Sequence, residues 1–370
     1  MGFIVAACQA QDSSAVQSKL PGVVIDHRPA STKIYIGSPA LAVLPDGRYV
    51  ASHDEFGPGS AYRTRAVSFV FESTDRGQSW KQIARIEGMF WGSLFVHNGA
   101  LYLMGTDKEY GRIVIRRSTD GGQTWTEPVD GKSGLLTDDD HYHCAPVPVV
   151  VHNDRILRAM EDAKDPGTWG YHFRSFVISA PRDADLLDSS SWTMSFPMSH
   201  DEQTWKGKGW LEGNVVIDPR GNLLNILRVD FPDTAAIVHL SPDGKAASFD
   251  PQKDFITMPG GAVKFTIRFD PKTRRYWSIV NPQTNPKAVR NRLALVSSED
   301  LRTWTIRKVL FEHPDPEKHA WQYVDWLFEG NDIIFVSRTA FDDASGGAHN
   351  YHDANFMTFH RLTNFRSLSF

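Results

Sequence analysis

The chain has 370 residues, 41% of them hydrophobic and 23% charged, which is enough apolar content for one large globule or two smaller ones. A net charge of −4 with no long basic or acidic run excludes nucleic acid as the main partner. Beyond the first residues no stretch is apolar and long enough to span a bilayer, and Cys8 and Cys144 are too few for a disulfide framework or a thiol-based zinc site.

The chain opens on Met1-Gly2-Phe3-Ile4-Val5-Ala6-Ala7-Cys8. Val-Ala-Ala-Cys resembles the lipobox of exported bacterial lipoproteins, although the apolar run is short and no basic residue precedes it. The expectation is export to the periplasm, the cell surface or the medium, with Cys8 as a lipid anchor. Residues 1–20 then read as signal remnant and tether, and 21–370 as one domain.

From Val23 onward an apolar period near 2 is frequent and long stretches of period 3.6 are absent. Six strand–turn–strand units follow in order: 39–54, 92–107, 145–162, 213–230, 262–281 and 323–338. Each turn holds Asp, Asn, Gly or Pro. Ser73-Thr-Asp-Arg-Gly-Gln-Ser-Trp80 and Ser118-Thr-Asp-Gly-Gly-Gln-Thr-Trp125 are two copies of S-T-D-x-G-Q-[ST]-W, 45 residues apart. Ser297 to Trp304 is a degenerate copy, and Ser189 to Trp192 reads as a remnant. Such Asp boxes fasten tight turns, with Gly supplying a positive φ.

Units of roughly 45–65 residues with four short strands predict an all-β protein, a single β-propeller. Six blade cores are countable, and a seventh would have to hide within 164–210 or 281–320. Asn355 to Arg361 lacks a fourth strand, and Val23-Val-Ile-Asp26 can supply it, closing the ring.

In a propeller the starts of first strands, the ends of second strands and the loops that follow share one mouth, opposite the Asp boxes. That rule gathers His53, Asp54, Tyr62, Arg63, His141, His143, Glu161, Asp162, Tyr171, Arg174, Trp210, Glu212, Arg228, Asn281, Arg290, Gln322, Tyr323, Arg338, His349 and His352. Arginine matches a planar carboxylate with paired hydrogen bonds, and aromatic rings stack on sugar faces, so an acidic sugar is the expected ligand. No P-loop, dinucleotide fingerprint or H-E-x-x-H is present. His141 and His143 could share a metal. Asp138, Asp139 and Asp140 could hold Ca2+, or form a solvated acidic turn; no cofactor is required.

The Asp boxes are similar to those of sialidase-like propellers. Tyr35-Ile-Gly-Ser-Pro-Ala40, Ala51-Ser-His-Asp54, His141-Tyr-His-Cys-Ala-Pro146 and His349-Asn-Tyr-His-Asp-Ala-Asn355 resemble a narrower group, the L-rhamnose-α-1,4-D-glucuronate lyases, some first grouped with α-L-rhamnosidases and related to ulvan lyase propellers. The resemblance implies seven blades and exo-acting release of capping L-rhamnose from D-glucuronate on arabinogalactan or gum arabic side chains, in a monomer with no nucleic acid partner and no membrane span. It departs from the ulvan lyases, with Glu161-Asp162 where a second histidine would stand and Glu212 in place of a tyrosine. It departs from sialidases too, since Ile34-Tyr35-Ile36-Gly37 lacks their first-blade arginine, although Tyr323 and Glu212 could imitate their Tyr–Glu pair.

For β-elimination, Arg228 and Arg338 are expected to neutralise the uronate carboxylate. His143 is the first candidate base, ahead of His53 and Tyr323, and Tyr323 or His352 the acid. His141, Glu212, Trp210, Arg174, Tyr171, Asn281 and His349 are expected to bind substrate. The alternative is a glycoside hydrolase, an α-L-rhamnosidase or a sialidase-like enzyme, using Glu212 with Glu161 or Asp162. A further alternative is a non-enzymatic glycan-binding propeller.

Overall fold

In the computed structural model, which describes residues 19–164, 168–283 and 289–368, the strands sort into six separate antiparallel sheets. The expected tether with Cys8 lies outside the described residues, save for Lys19 and Leu20. Among the described residues no helix is long and apolar enough to cross a membrane.

The first blade comprises Tyr35–Ile36 and Ala40–Val43 along the axis, then Tyr49–Phe56, Val67–Ser73 and Lys81–Glu87. The second has three strands, Phe90–His97, Ala100–Thr106 and Ile113–Ser118. The third holds Tyr142–His143 and Val150–His152, then Arg155–Asp162, Arg174–Pro181 and Thr193–Met194. The fourth is Leu211–Ile217, Leu223–Arg228 and Thr234–Leu240, edged by Ala247–Ser248 and Phe255–Thr257. The fifth is Ile267–Asp270, Arg275–Val280, Arg292–Ser298 and Thr305–Glu312. Ala320–Glu329, Asp332–Ala340 and Phe356–Leu362 build the sixth, and Val23–His27 completes it.

This is a six-bladed β-propeller. Among the described residues there is no seventh blade of the kind the family resemblance implies: the described parts of 164–210 and 281–320, where a seventh was sought, furnish outer strands and connections of the third and fifth blades. The ring is closed by the N-terminal strand as expected, with Val23 opposite Phe359 and His27 opposite Phe356. Two inner strands are shorter than the sequence pattern suggests. Pro146 and Pro148 cannot donate to a ladder, so 145–149 stays irregular between the two short strands of the third blade. In the fifth blade only Ile267–Asp270 pairs regularly.

Both faces of a blade are covered, which is why the strands read as near-continuous apolar runs. Val50, Val70 and Ile86 of the first blade pack against Leu94, Leu101 and Leu103 of the second. Ile36, Tyr49 and Phe71 meet Val336, Met357 and Phe359 of the sixth across the closure. Deleting residues 19–27 would bare this seam and the edge of Phe356–Leu362. The expected result is loss of a cooperative thermal transition and aggregation on size-exclusion chromatography.

The Asp boxes fasten third-to-fourth strand turns. Gly77, Gly122 and Leu301 each donate their backbone N–H to a box serine, Ser73, Ser118 and Ser298, at 2.8 Å. A Cβ at Gly77 would strike the Phe359 ring, and φ is +91° there, so glycine is required. Leu301 adopts φ 65° at the matching position. The Ser189 remnant is a short 3-10 turn capped by Asp188. A further turn of this kind, Ser241-Pro-Asp-Gly244, lacks the tryptophan and escapes a search for the full motif; Ala246 N–H donates to the Ser241 hydroxyl at 2.9 Å.

Candidate active site

The inner strands of the second, fourth and sixth blades break register at one level, between Phe90 and Ser93, Leu211 and Asn214, and Gln322 and Asp325. At each break a large residue turns left-handed: Trp91 at φ 52°, Glu212 at 50° and Tyr323 at 53°. Such backbone costs about 1 kcal/mol or more per residue and persists where the surroundings impose it. A bulge re-aims a side chain that alternation would send into the sheet face. Here all three line one cavity of about 510 Å³.

Part of the cavity lining is cationic. Arg228 donates through Nη1 to Glu212 at 3.0 Å and through Nη2 to Asp230 at 3.1 Å. Arg338 lies with its guanidinium carbon 4.1 Å from the centroid of the Tyr323 ring, and that of Arg290 lies at 5.3 Å. Among the described residues, Arg290 and Arg338 have no carboxylate in ion-pair range, and both donate to Oε1 of Gln322. Burial pulls both guanidinium pKa values below the ordinary arginine value, yet both stay charged at neutral pH. Burial works to raise Glu212, but the charge and hydrogen bond of Arg228, with the charge of Arg290, overcome it and hold the carboxylate ionised.

The lining is also aromatic, with Phe56, Tyr62, Phe90, Trp91 and Tyr110, and the Phe56 ring lies 5.1 Å from the Arg338 guanidinium carbon. His143 lines the same cavity. Its Nδ1 is 2.8 Å from Oε2 of Glu161, whose Oε1 accepts the N–H of Gly213 at 3.1 Å. Both His143 and Glu161 are buried. With Nδ1 donating to that carboxylate, Nε2 carries the lone pair, and Trp91 (ring centroids 4.4 Å apart) and Phe173 (5.1 Å) hold the ring in place. Trp169 covers Arg228 at 4.9 Å.

Asp54 also lines the cavity, but its carboxylate is engaged. It accepts the backbone N–H groups of Ser38 and of Trp91, the latter at 2.8 Å, tying the first blade to the second. Burial raises its pKa against those hydrogen bonds. A Cβ at Gly37 would collide with Asp54, so no side chain fits at that position beside the cavity.

Of the residues expected at the mouth, Asp54, Tyr62, Arg63, His143, Glu212, Arg228, Arg290, Tyr323, Arg338 and His352 line this cavity. His352 holds Asp353 through Nδ1 at 2.9 Å; burial and then Arg338 push its pKa down to about 4, so it is neutral near pH 7.

His53 does not line it. It faces the other side of its strand from Asp54, bonds Asp26 of the closing strand at 2.9 Å, and stacks on Phe71 at 5.6 Å. Trp210 is buried among His200, Trp205 and Phe249. Arg174 pairs with Asp162. Tyr171 lies 5.5 Å from Lys208, outside the cavity lining. Asn281 is spent on backbone carbonyls of Arg290, Arg292 and Trp321. His141 is exposed beside Asp140 at 3.0 Å, and His349 is exposed over Tyr35. The proposed His141–His143 metal pair is therefore split between surface and cavity. Asp139 turns to the Tyr142 hydroxyl and Asp140 to His141. Among the described residues no cluster of three or more His, Cys, Asp or Glu side chains could hold a metal ion.

Trp91, Tyr110 and Trp169 are cavity residues that strand-end reasoning did not single out, and Gln322 and Arg290 were placed at the mouth without a role. Arg290 was visible only as one of several loop arginines, and Trp91 sits just before a predicted strand.

No family model and no curated protein matches the chain. Solved structures do. A Penicillium chrysogenum α-L-arabinanase is 16% identical, with a TM-score of 0.58, covering 95% of this chain and 100% of its own. The Hadza microbial sialidase Hz136 is 14% identical, with a TM-score of 0.64 over 92% of this chain and 68% of its own. A Fusarium graminearum α-L-arabinofuranosidase is 13% identical, with a TM-score of 0.61 over 94% and 99%. These likenesses establish the β-propeller fold.

Proposed function

We propose that the protein is an enzyme that cleaves an acidic glycan by β-elimination at a uronate. The observation that carries this reading is the pair Arg290 and Arg338, two buried guanidinium groups with no carboxylate of their own among the described residues, in the same cavity as a histidine locked by a buried glutamate. The fold relatives, named for arabinan- and sialoside-cleaving activities, support a glycan as substrate.

In this mechanism the uronate carboxylate lies between Arg290 and Arg338, which stabilise the charge that develops as C5 loses its proton. His143 Nε2 takes that proton while Glu161 holds the resulting imidazolium. The C5–H electron pair becomes the C4–C5 double bond, and the C4–O bond breaks. The leaving oxygen takes a proton from Tyr323, since His352 carries none to give near pH 7. By the family resemblance, the leaving sugar is a capping rhamnose on gum arabic-type chains, and the acceptor end becomes a 4,5-unsaturated glucuronate.

A second reading has an observation of its own. Tyr323 and Glu212 stand on equivalent bulges of the sixth and fourth blades, as a nucleophile and its partner would in a retaining hydrolase. Incubation with gum arabic separates the two. Rhamnose release with matching growth of unsaturated-uronate absorbance is the expected result. Rhamnose without that absorbance would assign the hydrolase, and binding without either product the glycan-binding role.

A further inference from the structure

We infer that Gln322 is the specificity-determining residue of this pocket, a neutral bridge that holds Arg290 and Arg338 together without cancelling their charge. The inference rests on the acidic-sugar reading and adds how the site sustains its affinity for a carboxylate.

Gln322 is fully buried at the start of the long inner strand of the sixth blade, next to Tyr323. Its Oε1 accepts from Nη1 of Arg290 and, at 3.4 Å, from Nη2 of Arg338. Its Nε2 donates to the backbone carbonyl of Tyr351 and, at 3.5 Å, to that of His352. These partners fix which end of the amide is oxygen. The side chain thus meets two opposite demands at once, an acceptor towards two cations and a donor towards two carbonyls.

Only a primary amide of this length does both. Glutamate would satisfy the arginines but set a carboxylate oxygen against the carbonyl of Tyr351, and would neutralise one of the two charges. Methionine would keep the length and the net charge but release both arginines. Two like charges joined through a neutral oxygen are the unusual feature, because buried arginines normally pair with carboxylates. Arg228 does so with Glu212 in this same pocket. Among the described residues Gln322 takes up only one terminal nitrogen of each guanidinium, Nη1 of Arg290 and Nη2 of Arg338, so each has donor capacity left for a ligand. The carbonyls that Gln322 holds belong to the segment carrying Tyr351 and His352, so one residue also seats that side of the mouth.

The test compares wild-type protein, Q322E and Q322M by calorimetric titration with D-glucuronate and with D-glucuronamide, and by turnover on gum arabic. Wild type is expected to bind glucuronate and to ignore the amide. Q322E should lose about tenfold or more in glucuronate affinity and in kcat/KM, chiefly through KM. Q322M should weaken both by a smaller factor while still preferring acid to amide. Glucuronate affinity unchanged in Q322E would overturn the inference and leave the acidic-sugar reading standing. If Q322E does not fold, an unchanged affinity in Q322M overturns it instead. Wild-type binding that does not distinguish acid from amide would sink the acidic-sugar reading itself.

Discussion

Replacing Arg338 with glutamine lowers kcat/KM on a uronate glycan by roughly a hundredfold, the loss expected for a charge-assisted contact to a developing anion worth about 3 kcal/mol. The protein should nonetheless fold. Among the described residues Arg338 has no carboxylate partner, so its removal orphans no buried anion. Arg228 differs, because its loss would strand Glu212, which is 2% exposed, and would confound stability with catalysis. Steady-state kinetics beside a thermal melt checks the claim. An R338Q protein with a near-native melting temperature and wild-type kcat/KM would remove Arg338 from the site.

His143→Ala is expected to lower kcat by about a thousandfold, within the range for loss of a positioned general base. KM should move little, because Arg290 and Arg338 stay in place to hold the carboxylate. The ring sits on a built platform: Glu161 fixes one nitrogen, and Trp91 and Phe173 fix its plane. The variant leaves Glu161 with the Gly213 N–H still bound to Oε1, so the buried carboxylate keeps one partner. Partial rescue by added imidazole would mark chemical loss at this position. Retention of wild-type kcat in a folded H143A would reassign the base.

Much of the fold was legible because its signals are local. Asp-box turns repeat, the strands alternate or run apolar, and the unpaired edge of Phe356–Leu362 has a matching strand in Val23–His27. The height of the site was legible too, since strand polarity alone decides which turns share a mouth. Which side of a strand faces the axis was not. His53 and Asp54 are neighbours, and a single step of parity puts the aspartate in the cavity and the histidine against the closing strand. Trp91, Glu212 and Tyr323 reach the cavity through bulges that alternation does not announce. Trp210 comes just before one of those bulges and is turned into an aromatic core. Gln322 was legible as a mouth residue but its role was not, because nothing in the sequence shows that the partners of its amide are two arginines.

The central claim is that the cavity recognises and cleaves a glycan through a sugar carboxylate. The most direct measurement is sugar release from gum arabic set beside release from the same polymer after chemical reduction of its carboxyl groups. The expected result is release from the native polymer, with unsaturated ends appearing, and none from the reduced one. Equal release from both would contradict the account.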